Sequence, residues 1–166
     1  MKKYYTTTAV ALLVSLFIYI VYRSEQTVVN ILLDQLTGHH AFLWKQQVRH
    51  LLPLPGYIIF SVPEGLWIFA ATLISKNLYL IYHHRKFHLV HVPILYGIGL
   101  EFLQLLHIMP GRFDILDILF TLFFWLLAML FIRNPFRQQS IREQFNYRTF
   151  LLLFAYGIVF LSHVSL

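Results

Sequence analysis

Long apolar stretches alternate with short polar interruptions along this chain, and the stretches have the length of membrane-crossing helices. Spans are expected at about residues 6–22, 64–82, 91–109, 115–132 and 149–164, each close to the roughly 20 residues that cross a hydrocarbon core about 30 Å thick. Runs such as ILFTLFFWLLAMLFI at 118–132 lack the alternating pattern of an outer-membrane barrel, and an open sheet edge is unsatisfied in lipid, so strands are not expected. The expected fold class is therefore all-α, a polytopic membrane helical bundle forming a single domain over residues 1–166. Residues 1–22 have a basic start and an apolar core but no small-x-small cleavage site before Arg23, so they read as an uncleaved first span.

The segment at 24–60 is too polar to span. In TVVNILLDQL, Val28, Ile31, Leu32 and Leu36 recur at helical spacing, and in HHAFLWKQQVRHLL so do Leu43 or Trp44, Val48, Leu51 and Leu52. Two short amphipathic helices are expected there, separated by Gly38 and ended by LPLPG at 52–56, on the outer membrane surface or capping the bundle. Packing of their apolar stripes against the bundle is the simpler expectation, and covering a substrate the other.

Composition agrees with the pattern: 58% of the 166 residues are hydrophobic, 12% are charged, and mean hydropathy is +0.66. An ordinary soluble domain is excluded. The formal charge of +6 would suggest nucleic acid in a soluble protein, but between membrane spans Lys and Arg report topology, so no nucleic-acid partner is expected. Lys2, Lys3, Arg85, Lys86, Arg133, Arg137, Arg142 and Arg148 fall on the side of the N-terminus, with Lys76 snorkelling toward it. Glu25, Asp34, Glu64, Glu101, Asp114 and Asp117 lie on or near the opposite face, and only Glu143 is acidic on the basic side. The N-terminus is thus expected in the cytoplasm, with the chain in a bacterial cytoplasmic membrane. The absence of cysteine removes disulfides, thiolate metal sites and cysteine nucleophiles.

Candidate chemistry concentrates in IGLEFLQLLHIMPGRFDILD at 98–117. Glu101 and Gln104 share one helical face, and His107 continues the row. If the span ends near Met109, Glu101 lies roughly 12 Å deep, where an ionised carboxylate must be paired, protonated or open to water. Arg112, past the Pro110-Gly111 turn, is the nearest candidate to face it, with a guanidinium suited to carboxylate or phosphate. Glu64, Asp114 and Asp117 lie on the same side. Each also has a structural explanation: Ser61 and Glu64 fit an S-x-x-E capping box at a helix start, and Asp114 fits an N-cap with Asp117 in the following turn. His107 reads equally as a proton donor or an interfacial residue. His84, His88 and His91 share a helical face, but beside Arg85 and Lys86, without a nearby carboxylate, they read as interfacial anchors, and neither a metal nor a cofactor is expected.

The order Glu101-x-x-Gln104, a turn ending in Gly111-Arg112, then Asp114-x-x-Asp117 opening another span, resembles the core motif of VanZ-like bacterial membrane proteins, named for a teicoplanin-resistance factor. The resemblance extends from about Tyr96 to Thr121. It departs at Thr121 and Phe124, where the family pattern carries Asn and Gly; Thr121 can still hydrogen-bond between helices, whereas Phe124 removes a site of close approach. The resemblance implies a cell-envelope protein. The leading expectation is an outward-facing pocket binding a lipid head group or lipid-linked glycan precursor, with Arg112 on its phosphate or carboxylate and Glu101, Gln104 and Asp117 shaping the pocket. A second is a non-enzymatic accessory subunit with a protein partner in a larger membrane complex. A third is an intramembrane hydrolase or transferase using Glu101 or Asp117 as general base, which lacks a metal set, serine motif or cysteine to name its chemistry.

Overall fold

A computed structural model describes residues 2–23, 28–37, 40–109, 111–131, 138–141 and 147–163. Pro110 of the expected turn, Gly38, Glu25, Arg133, Arg137, Arg142 and Glu143 lie outside the described residues. The chain is mostly helical with a small sheet. Among the described residues there are seven α-helices: α1 (Lys2–Tyr22), α2 (Val28–Thr37), α3 (His40–Leu51), α4 (Gly56–Ser75), α5 (Val92–Leu105), α6 (Ile115–Phe131) and α7 (Tyr147–His163). Three short strands, β1 (Leu78–Tyr82), β2 (Arg85–His88) and β3 (Gln139–Ser140), and a 3-10 turn (Leu89–His91) complete the order. By length and composition, α1 and α4 are long and apolar enough to cross a membrane, while α5 and α6 are shorter apolar helices.

Helix α4 is the central element and packs most extensively on α6 and α1. It begins earlier than the pattern predicts. The prolines of LPLPG stop α3, and with Pro55 as N-cap (φ −69°) the chain re-enters a helix at once, Ile58 and Ile59 N–H donating to the Pro55 carbonyl at 3.0 and 3.2 Å. Pro63 then sits inside the helix, its carbonyl accepting from Ser15 Oγ at 2.7 Å. A helix start at Pro63 is the ordinary reading of such a sequence, but here the helix is already formed from Gly56 and continues through the proline, with α1 bonded beside it through Ser15.

The other end of α4 also departs from expectation. A second span reaching Tyr82 is replaced by a β-hairpin, because Asn77 takes a left-handed φ of 69° just past the helix. LYLIY then pairs with RKFH in antiparallel register, Tyr79 opposite His88 and Tyr82 opposite Arg85, through a two-residue turn in which His83 and His84 both have positive φ. His84, His88 and His91 consequently do not share a helical face. β3 adds to β1 in parallel, Leu78 opposite Gln139. An unbroken apolar run such as LYLIY does not distinguish strand from helix by periodicity, which is why the sheet is invisible in the hydropathy pattern.

Lys76, at this end, donates from Nζ to the carbonyls of Ala128 and Met129 at 3.1 and 2.9 Å, satisfying the last turn of α6. Tyr4 donates its hydroxyl to the Leu73 carbonyl while Ser15 reaches Pro63, so α1 runs antiparallel to α4. Lys2 and Lys3 therefore lie at the hairpin end of the bundle and Arg23 at the opposite end. In the core, Trp67 contacts the rings of Tyr96 and Tyr156 at 5.4 and 5.1 Å and donates Nε1–H to the Ala155 carbonyl, tying α4 to α5 and α7.

The contact that sets the α4–α6 spacing is Phe124 over Gly65. A side-chain carbon at position 65 would overlap the Phe124 ring. The close approach that Phe124 forbids on its own helix is thus restored by a glycine on the facing one.

The α2–α3 pair packs its apolar stripes on the bundle only in part. Leu32, Leu36, Leu43, Trp44, Leu51 and Leu52 are exposed and Ile31 and Val48 half-buried, whereas among the described side chains of the pair Asn30 and Lys45 are buried, joined by Lys45 Nζ donating to Asn30 Oδ1 at 3.0 Å. Much of each stripe expected to pack against the bundle is thus exposed, although the Trp44 ring meets that of Phe17 on α1 at 6.3 Å.

Candidate functional site

Glu64, Glu101 and Asp117 come from three different helices, yet one carboxylate oxygen of each lies within 4.8 Å of the others. Antiparallel α5 and α6 set the C-terminal part of one beside the N-terminal turn of the other, and α4 presents its third turn to both. Glu64 is here for a reason other than capping. Because α4 begins at Gly56, Ser61 and Glu64 lie well inside the helix and form no capping box. Ser61, buried, instead donates its hydroxyl to the Asp117 carboxylate.

Glu101 is almost fully buried, at 2% exposure, and anchors the α5–α6 connection. Its Oε2 accepts the Asp114 backbone N–H at 3.0 Å. Gln104, in the amide orientation that satisfies both contacts, donates to Glu101 Oε1 at 3.3 Å and to the Arg112 carbonyl at 3.1 Å. Gly111, at φ +131°, passes so close to Gln104 that a Cβ would lie 2.7 Å from an atom of its side-chain amide. The motif Glu-x-x-Gln, Gly-Arg, Asp is thus a latch folding the connection back over the end of α5.

Three expected site residues fall elsewhere. Arg112 is exposed and enters the latch through its carbonyl; among the described residues its guanidinium makes no ion pair with Glu101. His107 does not continue the row of Glu101 and Gln104, because α5 ends at Leu105 and His107, exposed, takes a left-handed φ of 57° just beyond it. Its N–H donates to the Gln104 carbonyl, and the next N–H, of Ile108, to that of Leu103, closing the helix end. Asp114 is the N-cap of α6, Oδ1 accepting the Leu116 N–H at 2.9 Å. Asp114→Ala is expected to lower stability by about 1 kcal/mol and Asp114→Asn by much less, read as a shift in thermal unfolding.

Among the described residues, a cation that does act on the carboxylates is Arg23, just past the end of α1. It acts electrostatically on both Glu64 and Asp117, and its guanidinium lies 5.2 Å from the centroid of Phe60. Below the carboxylates sits Thr121, one turn from Asp117 and 1% exposed, packed against Gly97 of α5 so closely that a Cβ there would lie 3.1 Å from Thr121 Cγ2. Tyr96, one residue before that glycine, completes the wall, and Glu64 acts electrostatically on its hydroxyl. Sequence reasoning missed Arg23, Ser61, Tyr96 and Thr121 as neighbours of the carboxylates, since only the crossing of α1, α4, α5 and α6 brings them together.

Full ionisation of this group is costly. At an effective dielectric of about 20, two carboxylates about 4.8 Å apart repel by roughly 3 kcal/mol, and the third adds similar terms. Protons, or positive charge beyond Arg23, must offset it. The arrangement presents hydrogen-bond acceptors to a ligand rather than a cationic cradle.

No protein-family model, curated protein or solved structure matches the chain.

Proposed function

We propose that this chain is a VanZ-like multi-span protein of a bacterial cytoplasmic membrane that receives the polar head group of a lipid or lipid-linked glycan between α4, α5 and α6. The observation that carries the reading is the convergence of Glu64, Glu101 and Asp117, from three helices, in a chain with so few charges. Ionisable groups among apolar helices are expensive and are retained where they bind or react. Carboxylates that accept several hydrogen bonds suit a hydroxyl-rich head group, while Arg112, exposed at the rim, is available to a phosphate arriving from outside.

Membrane placement has independent support in the surface. Leu13 on α1, Leu119, Phe123 and Leu130 on α6, and Phe150 and Phe154 on α7 are all exposed. An outer face so apolar is the expected lipid-facing surface of a bundle. The exposed Leu36, Trp44 and Leu51 of α2 and α3 suit helices lying at the interface. Lys2, Lys3, Lys76, Arg85 and Lys86 gather at the hairpin end, opposite the carboxylates, which supports five spans with the N-terminus in the cytoplasm and the acidic end outside.

Mass spectrometry of lipids retained by the purified protein tests the reading. A polar-head-group lipid enriched over the surrounding membrane is expected with the wild type, and its depletion by at least about tenfold, the scale of one lost charged hydrogen bond, in Glu64→Gln and Asp117→Asn. Retained lipids in the same proportions as the bulk membrane would overturn it.

A further inference from the structure

Three oxygen donors face one another across the α4–α5–α6 junction, and several polar atoms around them have nothing to bond. Glu64 Oε1 and Asp117 Oδ1 are buried and lack hydrogen-bond partners among the described residues. Thr121 supplies a separate observation: its side chain is 99% buried by its exposure of 1%, and its Oγ1 has no partner. Helical side chains lean toward the N-terminus of their helix, so Thr121 leans toward the turn carrying Asp117, with its Oγ1 at the α5 face beside Gly97, one turn before Glu101. A buried hydroxyl without a partner is costly, and one aimed into a carboxylate cluster is most simply accounted for by a group that accepts its lone pair.

Charge and distance narrow the identity of that group. When all three carboxylates are ionised they bring three negative charges against the one positive charge of Arg23, an excess of two that one divalent cation neutralises. All the available donors are oxygen, which selects a hard cation over zinc or copper. Oxygens on opposite sides of a calcium ion bound at about 2.3–2.6 Å stand roughly 4.6–5.2 Å apart, and the donor oxygens here lie within 4.8 Å of one another. A magnesium or manganese ion, with shorter bonds, fits the same donors with water completing its shell.

We infer that Glu64, Glu101 and Asp117 form a divalent-cation site of the calcium, magnesium or manganese class, floored by the Thr121 hydroxyl. Glu101 keeps its hydrogen bonds from Asp114 and Gln104 and still has lone pairs to offer, so the latch orients this ligand. Arg23 balances the remaining charge from the α1 side. The site stands on the carboxylate cluster and not on the head-group reading, because it requires no lipid.

The test uses full-length protein in a zwitterionic detergent, stripped with chelator, and Mn²⁺ alone as probe, with free Mn²⁺ followed by electron paramagnetic resonance. One saturable Mn²⁺ per chain is expected, displaced by Ca²⁺ or Mg²⁺. Glu64→Gln and Asp117→Asn are expected to weaken it by at least about tenfold, Thr121→Val by a smaller factor within the roughly 10- to 100-fold range of orienting residues, and Thr121→Ser to leave it unchanged. Asp34→Asn, an exposed carboxylate remote from the junction, serves as the control that retains binding. The wild-type titration decides the matter even where a variant fails to fold. Absence of saturable binding up to about 1 mM, the weak end of protein calcium sites, overturns the site, as does equal binding by a folded Glu64→Gln variant. A wild type that binds Mn²⁺ but enriches no lipid retains the cation site and removes only the head-group reading.

Discussion

Gly65→Val is expected to be the most damaging single substitution in the helical core. A side chain at position 65 must overlap the Phe124 ring, and that ring cannot swing aside freely because it lies between Phe69, Phe120 and Phe123, with ring centroids 5.4 to 6.5 Å away. Overpacking usually costs about 1–3 kcal/mol. Here the contact lies on the main helix pair, so a loss of about 3 kcal/mol or more is expected, together with poor yield of monodisperse protein. Gly65→Ala should show the same effect in milder form. The physical cause is tested by the double variant Gly65→Val with Phe124→Ala. If the two residues oppose each other as described, the double variant is more stable than the sum of the single losses by at least about 1 kcal/mol, within the range of contacting pairs. Strict additivity would show that Gly65 matters for some reason other than Phe124.

Glu101→Ala is expected to release the connection between α5 and α6. The substitution strands the Asp114 N–H and removes one of the two acceptors of Gln104. Hydrogen bonds to charged groups contribute about 1.5–3 kcal/mol each, and relief of repulsion from Glu64 and Asp117 offsets part of the loss. A net fall of about 2 kcal/mol is expected, measured by thermal unfolding with chelator present so that cation binding does not contribute. Glu101→Gln keeps an acceptor for Asp114 and should lose less than half as much. Equal losses for the two variants would mean that the carboxylate's charge, rather than its hydrogen bonds to the connection, governs stability.

These two residues illustrate how unevenly the sequence exposes its structure. Glu101 was conspicuous because an acidic group in an apolar run has few inexpensive explanations, and its burial and polar network agree with that signal. Gly65 was silent. A glycine in a membrane helix is ordinary, and nothing near it in sequence announces the aromatic ring it accommodates fifty-nine positions later. The capping-box pattern at Ser61 and Glu64 misled for a related reason: S-x-x-E marks a helix start only where the preceding residues are not already helical, and α4 had begun at Gly56. Asp114 obeyed the same class of rule, because no helix precedes it in the turn. Local patterns report local geometry, and they fail when a neighbouring helix has already supplied what the pattern would provide.

Arg112 and Arg23 make the same point for the site. Proximity in sequence nominated Arg112 as the partner of Glu101, but the connection bends so that its carbonyl, not its guanidinium, faces the latch. Arg23 lies 41 residues before Glu64 and 94 before Asp117 in the chain, yet the antiparallel run of α1 along α4 delivers it to the carboxylates.

By itself, the sequence determined a mostly helical chain, the apolar helices and the polar connection at 98–117, because hydropathy and helix-end chemistry act over a few residues and leave a readable period. Only the tertiary structure decided that LYLIY is a strand, that α2 and α3 leave much of their apolar stripes exposed, and that Glu64, Glu101 and Asp117 meet above Thr121. Those outcomes depend on which helices lie side by side and how closely, and that depends on contacts such as Phe124 over Gly65 between residues far apart in the chain.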